Sequence, residues 1–276
     1  LSNLGLVSLS QGNYPAALRY FEQSLAIHRE LGDRAGISVA LGNLGMVYED
    51  QSDLTAAQQT YLESLQIAHE IGDRRTECSR LNSLGSVALS LNDLKTALSY
   101  FEDALALARQ VNDPMLSTRI LMNMGWGSLL QQDFPASRRY SEESLALAEE
   151  LGDRESVVSC LTNLGHAAWP EGDWMTAGRH YRRSIAEARE IGALPRLLEA
   201  VAGLAGCYWA SQQSERAAEL LGLAQNHPAT NSDVTQAANF VMPYLQKSLP
   251  EDRLQAALTR GHLLDLDTVI DSLLQE

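Results

Sequence analysis

Asparagine recurs along the chain at a fixed step. It occupies positions 3, 43, 123 and 163, and Ser83 fills the remaining place in this 40-residue series. An asparagine side chain carries both a donor and an acceptor, so a row of them can hydrogen-bond the main chain of an extended peptide whatever its sequence. The same side chains could instead tie each helix to its neighbouring repeat. Asn3, Asn43, Asn123 and Asn163 are therefore candidate ligand-binding residues with two open roles.

A second candidate set lies three and six residues after these asparagines. It comprises Met46, Glu49, Trp126, His166 and Trp169. Large apolar side chains at repeat spacing are typical of an adaptable hydrophobic groove, although core residues would give the same pattern. We expect an apolar or amphipathic segment with few charges as ligand, and Glu49 could meet a lysine or arginine.

Motifs for catalysis or metal binding do not appear in the sequence. It contains no phosphate-binding G-x-x-x-x-G-K-[ST] loop, no H-E-x-x-H pair and no paired-cysteine metal spacing. The six histidines are dispersed, and Cys78 and Cys160 fall at positions typical of helix packing. We therefore expect no catalytic residue, no cofactor and no metal site.

The elements that must position the candidates are repeated helix pairs. Glycines 5, 45, 85, 125 and 165 keep the same 40-residue step. In the second repeat, apolar residues recur at helical spacing before and after an interruption at Ser52-Asp53, which predicts two antiparallel helices. Glycine within a helix costs roughly 1 kcal/mol relative to alanine. We expect Gly45 and its equivalents to allow close contact between helices, with the small Ala57 and its equivalents facing them.

The repeats predict the organisation of the chain. The first five units cover residues 1–32, 33–72, 73–112, 113–152 and 153–192, a degenerate sixth covers 193–226, and the array therefore spans 1–226. Residues 227–276 are predicted to form C-terminal capping helices at about Ser232–Leu249, Pro250–Thr259 and Leu266–Leu274. Atypical terminal units are required to cover the apolar face left by a last repeat.

These features resemble the tetratricopeptide repeat. The resemblance rests on Leu-Gly in the first helix, a following aromatic such as Tyr48, a small residue such as Ala57 early in the second helix, and an aromatic four residues later such as Tyr61. It covers residues 1 to about 222. The 40-residue step and the Asn-Leu-Gly and Gly-Asp-Arg signatures are similar to those of kinesin light chains and of the sensor regions of MalT-like bacterial signalling ATPases.

The resemblance implies an all-α fold, a right-handed α-solenoid of antiparallel helix pairs whose first helices line a concave wall. In related long-helix repeats the asparagine ladder holds ligand backbones. The implied function is a non-catalytic protein- or peptide-binding module, the sensor region of a larger bacterial ATPase-type signalling or transcription regulator. Two alternatives stay open: an oligomerisation scaffold, and a small-molecule sensor with an aromatic pocket of Trp126, His166 and Trp169.

The composition limits the classes of partner that the chain is expected to bind. The formal charge of −14 and a pI near 4.8 disfavour nucleic-acid binding, which needs a basic surface. We expect no membrane partner, since no apolar run is long enough to cross a bilayer. The odd number of cysteines, three, indicates a cytoplasmic protein.

The chain begins within a helical pattern, which predicts a segment of a longer protein. A local basic patch at Arg138, Arg139 and 179–183 is expected to be a solvated helix face, with docking of an acidic partner domain as the alternative.

Overall fold

Helices make up the whole regular structure. The computed structural model describes residues 1–276 and contains fifteen α-helices and no β-strand. Their bounds are α1 Ser2–Ser10, α2 Tyr14–Leu31, α3 Arg34–Asp50, α4 Leu54–Ile71, α5 Arg74–Ser90, α6 Leu94–Gln110, α7 Pro114–Leu130, α8 Phe134–Leu151, α9 Arg154–Ala168, α10 Trp174–Ile191, α11 Leu194–Ala210, α12 Ser214–Asn226, α13 Ser232–Ser248, α14 Glu251–His262 and α15 Leu266–Gln275. None of them has the length and apolarity needed to cross a bilayer.

The helices form two compact units, residues 1–127 and 128–276. Within unit 1, α1 packs on α2, α3 on α4 and α5 on α6, and each pair also contacts the next. In unit 2, α9 packs on α10 and α11 on α12 in the same way. First helices of successive pairs, such as α3 and α5 or α9 and α11, also touch each other, whereas the second helices of successive pairs do not approach comparably. This is the predicted all-α stack of antiparallel helix pairs, and the fold class is confirmed.

Local capping sets the ends of these helices. The side chain of Asp53 accepts a hydrogen bond from the Ala56 N–H at 3.1 Å, and Asn13, Asp93, Asp133 and Asp173 do the same for the other second helices. Such side chains satisfy a donor that the helix start leaves unpaired. Several of these second helices end on glycine, as α4 does at Gly72, whose φ of 73° is the left-handed conformation that glycine adopts without strain. The interruption predicted at Ser52-Asp53 is confirmed, since α3 ends at Asp50 and α4 begins at Leu54.

In four of the first helices an internal glycine faces an aromatic ring. A Cβ placed on Gly45 would overlap the ring of Tyr61, and Gly5, Gly85 and Gly165 meet Phe21, Phe101 and Tyr181 in the same way. The expectation that Ala57 faces Gly45 is wrong, because the ring four residues further along α4 takes that place. Tyr61 and Phe101 are fully buried, so each glycine makes room for the largest side chain of its pair.

The last three helices pack on different elements. Helix α13 lies against α11, α14 against α12, and α15 against α10. Their bounds differ by at most one residue from those predicted, apart from the end of α14 at His262, which is three residues later. The apolar side chains of Val269, Ile270 and Leu273 place α15 in the same core cluster as the helices of unit 2.

Candidate functional site

The candidate residues of unit 1 share one face of the first helices. Asn43, Met46 and Glu49 on α3 are half-buried, whereas Leu44 and Val47 between them are in the core. The equivalent positions on the next first helices are also half-buried, namely Ser83, Ser86 and Leu89 on α5 and Asn123 and Trp126 on α7, while Asn3 on α1 is exposed. The predicted site residues of unit 1 therefore lie along one repeated, partly accessible surface, which we call the first-helix wall.

Part of the asparagine row also links repeats. The Asn123 side-chain amide donates to Oδ1 of Asn82 on α5 at 3.0 Å. This hydrogen bond joins two neighbouring repeats, which is the second of the two roles that the sequence allowed for these asparagines. An asparagine amide has a second N–H and an acceptor oxygen with two lone pairs, so Asn123 keeps capacity for a further bond.

A charged cluster lies beside Asn43 on the first-helix wall. The hydroxyl of Tyr61 donates to Oε2 of Glu49 at 2.9 Å, and burial raises the pKa of the Glu49 carboxyl. The guanidinium of Arg80 lies over the Tyr61 ring, with 5.6 Å between Cζ and the ring centroid. Its Nε and Nη1 atoms are buried with no hydrogen-bond partner, and burial lowers its pKa. The wall thus carries a partly desolvated carboxylate and a partly desolvated cation that are not paired with each other.

Arg80 and Asn82 were not among the predicted residues. Arg80 occupies the place of Ala40, Ile120, Cys160 and Ala200 in the other repeats. A charged residue at a position that is otherwise small or apolar is a sequence signal that could have identified it. Gly42 leaves room for it, because a Cβ there would overlap the Arg80 guanidinium.

The candidates of unit 2 lie in the core. Asn163, His166 and Trp169 on α9 are 8%, 8% and 2% exposed, in contrast to their half-buried counterparts in unit 1. The Tyr181 hydroxyl and Nδ1 of His166 share a hydrogen bond of 2.8 Å, and Glu199 on α11 lies 4.0 Å from Nε2. Burial lowers the pKa of His166 to about 4. A direct contact between these three residues and a ligand would require neighbouring helices to move.

Trp169 belongs to an aromatic cluster. Its ring meets Trp174 on α10 and Phe240 and Tyr244 on α13 with centroids 4.9 to 5.0 Å apart, and Trp209 on α11 at 6.1 Å. Edge-to-face rings of this kind add to the stability from burial. The buried Nε1 of Trp169 has no hydrogen-bond partner. The sequence leaves open an aromatic pocket that includes Trp169. In the structure Trp169 lies instead at a packed junction of four helices.

The basic patch on α10 holds the chain's own last helix. Nε of Arg182 donates to the Leu273 carbonyl at 3.0 Å, and its Nη2 lies 3.3 Å from a Glu276 carboxylate oxygen. Nη1 of Arg189 pairs with Asp271 at 2.6 Å. The expectation of a purely solvated face is therefore wrong at Arg182, where acidic α15 docks.

Other reactive groups are engaged in packing. Burial raises the pKa of the Cys78 and Cys160 thiols to about 11 and that of Cys207 to about 12. Such thiols are poor nucleophiles because little thiolate is present at neutral pH. The structure contains no group of three or more His, Cys, Asp or Glu side chains that could hold a metal ion.

Comparison with known proteins finds a family match in the first part of the chain. The model of the family described as tetratricopeptide repeat matches residues 1–70 and 36–110. No curated protein sequence matches the chain.

Solved structures extend the likeness over the whole chain at low identity. A signal transduction ATPase with numerous domains and a tetratricopeptide repeat sensor, from Pyrococcus horikoshii, is similar over 99% of this chain with 15% identity and a TM-score of 0.72, and the chain spans 43% of that protein's length. The Rap conjugation gene regulator of plasmid pLS20, solved with the Phr* peptide, has 16% identity and a TM-score of 0.72 over 99% of this chain and 73% of its own. Kinesin light chain repeats from Podospora anserina have 14% identity and a TM-score of 0.56 over 67% of this chain and 92% of theirs.

Both classes of protein that the sequence resembles are among these structures. The family match, the 40-residue helix pairs and the capped turns agree with one another. Residues 1–110 match the tetratricopeptide repeat model, and solved repeat structures show the same fold for the later helix pairs.

Proposed function

We propose that the chain is a protein- or peptide-binding module whose ligand lies along the first-helix wall of unit 1. The ligand is an extended segment with apolar side chains and a basic residue that meets Glu49. The wall supplies amides at repeat spacing for the ligand main chain and Met46 and Trp126 for its side chains. Asn163, His166 and Trp169 act as the rigid base of the neighbouring repeats rather than as first contacts.

One observation carries this proposal. On α3, α5 and α7 the same positions are half-buried, while the residues between them are core. Half-buried polar and apolar side chains in a repeated row offer hydrogen bonds and apolar area without the cost of unfolding the repeat. At Asn163, His166 and Trp169 of unit 2 the same positions are buried, so the row of accessible amides belongs to unit 1.

The larger context is also a proposal. We infer that the module is the sensor region of a larger ATPase-type signalling or transcription regulator. Support comes from the similarity to a repeat sensor within a signal transduction ATPase and to a regulator solved with a peptide. Ligand binding would then act by stabilising one state of the parent over another, through its differential affinity for the two.

A peptide selection tests the binding proposal. A random peptide library is panned against the 276-residue chain, and the affinities of the selected peptides are measured by calorimetry. Asn43→Ala with Met46→Ala should weaken binding about tenfold or more, because an amide contact and an apolar contact are lost together. A matched control, Gln23→Ala with Ile27→Ala, changes exposed residues of α2 and should leave affinity unchanged.

Three results would argue for other functions. Peptides that keep full affinity for the Asn43 and Met46 variant would move the site elsewhere. A molar mass that rises with concentration in light scattering would favour the oligomerisation scaffold. Quenching of tryptophan fluorescence by a metabolite, with no peptide selected, would favour a small-molecule sensor.

A further inference from the structure

The outer side of unit 1 carries a second groove, separate from the first-helix wall. It lies between the second helices α4 and α6 with α5 as its floor, and has a volume of about 720 Å³. Its apolar lining includes Leu62, Leu65 and Leu107, and Leu62 is 42% exposed. Asp103 and Glu77 supply carboxylates at its sides. An apolar channel of this length between helices is suited to the apolar face of another helix.

The equivalent surface of α10, three repeats later, is already covered by a helix of this chain. Leu62 and His69 line the groove from α4, and the residues 120 positions later, three repeats on, are Arg182 and Arg189 of α10. These two arginines hold α15 through Leu273, Glu276 and Asp271. Val269, Ile270 and Leu273 of α15 are buried, at 4%, 1% and 0% exposure. A ten-residue amphipathic helix therefore already packs on this face of a second helix in unit 2.

The charges of the two sites differ in sign. Where α10 has two arginines, α4 has Leu62 and His69, and where α12 has Leu223, α6 has the exposed Asp103. Nδ1 of His69 and Nη1 of Arg74 both contact Glu77, at 3.0 and 2.8 Å, so they are engaged by that carboxylate. An acidic helix such as α15 would lose both arginine partners in the unit 1 groove, whose lining adds the carboxylate of Asp103. A cationic flank is complementary to it.

We propose that the groove between α4 and α6 is a docking site for a short amphipathic helix of a partner protein, with aliphatic residues on one face and lysine or arginine on the flank toward α6. The aliphatic face packs on Leu62, Leu65 and Leu107. The cation pairs with Asp103. This site is independent of the first-helix wall, so a helix and an extended peptide can be bound together.

Two labelled peptides test the proposal by fluorescence anisotropy. One has the sequence of residues 265–276, and the other carries lysine in place of Asp267, Asp271 and Glu276 while it keeps the three buried aliphatic residues. The lysine peptide should bind the full chain about tenfold more tightly than the acidic peptide at low salt, because only it carries cations that can pair with Asp103. Equal binding of the two peptides, or no binding of either, would overturn the proposal.

Adjacent residues provide the matched control. Asp103→Lys should weaken binding of the lysine peptide about tenfold, whereas Glu102→Lys, the same charge change on an exposed neighbour outside the groove lining, should alter it less than about twofold. Leu62→Gln should also weaken binding, and its helical content, followed by circular dichroism, should match that of the native chain. Equal effects of the two lysine substitutions would mean that general charge, not the groove, binds the peptide.

Discussion

At the residue scale, an aromatic ring packed against a glycine is a contact that recurs in four of the helix pairs. Tyr61 over Gly45 and Phe101 over Gly85 are both fully buried. The glycine lowers helix propensity, but it gives the ring a place against the helix backbone. Tyrosine differs from phenylalanine there, because the Tyr61 hydroxyl reaches Glu49 on the first-helix wall. The same repeat position thus serves packing in one pair and packing plus polar contact in another.

Gly45→Ala should destabilise the chain. The added Cβ overlaps the Tyr61 ring, and the expected loss is about 1–3 kcal/mol of unfolding free energy, typical of overpacking. Gly127→Ala is the control, since its Cβ would lie 3.4 Å from Leu89 and Leu98, in ordinary contact. That change should be neutral or stabilising by up to about 1 kcal/mol. Urea unfolding followed by circular dichroism measures both, and equal effects would contradict the ring-over-glycine account.

His166 should make stability depend on pH. Its pKa is about 4 in the folded chain because it is buried, and near 6.5 when unfolded, so between these values only the unfolded state takes up the proton. The unfolding free energy should therefore fall as pH decreases from 6.5 to 4, by up to about 3 kcal/mol. His166→Asn keeps an acceptor for Tyr181 but does not titrate. Subtracting the stability of this variant at each pH isolates the contribution of His166, and parallel curves would rule it out.

At the element scale, carboxylate and amide caps define most helix starts. Helix α11 is an exception: its N-cap is Ala193, which makes no side-chain hydrogen bond although its φ and ψ of −81° and 68° match those of Asp53. The backbone at this junction is therefore already arranged for a capping side chain that the sequence does not provide.

Ala193→Asp should stabilise α11. The new carboxylate can accept the N–H of Arg196 as Asp53 accepts that of Ala56, with an expected gain of about 0.5–1 kcal/mol. Thermal unfolding of the variant should show a higher midpoint. Asp53→Ala is the reciprocal change and should lower stability by about 1 kcal/mol. No gain at position 193 would contradict the capping account of this junction.

The last helix is held mainly by its apolar face. Leu273 is fully buried, so Leu273→Ala should cost about 2–5 kcal/mol locally. Arg189 and Asp271 form an exposed pair, so Arg189→Ala should cost no more than about 1 kcal/mol. Hydrogen exchange of residues 266–275 measures both changes. Faster exchange in the arginine variant than in the leucine variant would show that charge, not packing, holds α15.

At the scale of the whole molecule, the net negative charge disfavours nucleic acids as binding partners. The net charge of −14 is spread over a chain with 21 basic and 35 acidic residues, and many arginines are already paired, such as Arg154 with Glu187 and Glu190. A surface of this kind repels phosphate groups while it leaves cationic segments free to approach.

The chain should therefore not bind DNA or RNA. Labelled duplex DNA and single-stranded RNA should remain unbound at about 50 mM salt, where electrostatic binding is strongest. A basic nucleic-acid-binding domain is the positive control. Binding that weakens as salt rises would contradict the prediction and would point to a local basic surface that overcomes the net charge.

Much of the local structure could be predicted from the sequence. The 40-residue step, the Asp and Asn caps and the glycines at helix ends act through neighbouring residues, so they place the helices within a few positions. They also indicate the repeat type whose family model matches residues 1–110. The surface of Asn43 and Met46 could also be proposed, since repeat spacing places equivalent residues on one helix face.

Only the tertiary structure decided which members of one repeat position face solvent. Asn43 and Asn163 are equivalent in sequence, yet the first is half-buried and the second lies in the core, where Trp169 of the same helix is covered by α11 and α13. Arg182 looked like a solvated side chain and instead holds a helix 91 residues later in the chain. Burial and ion pairing of this kind depend on residues brought together from distant repeats, and a repeated local pattern contains no information about them.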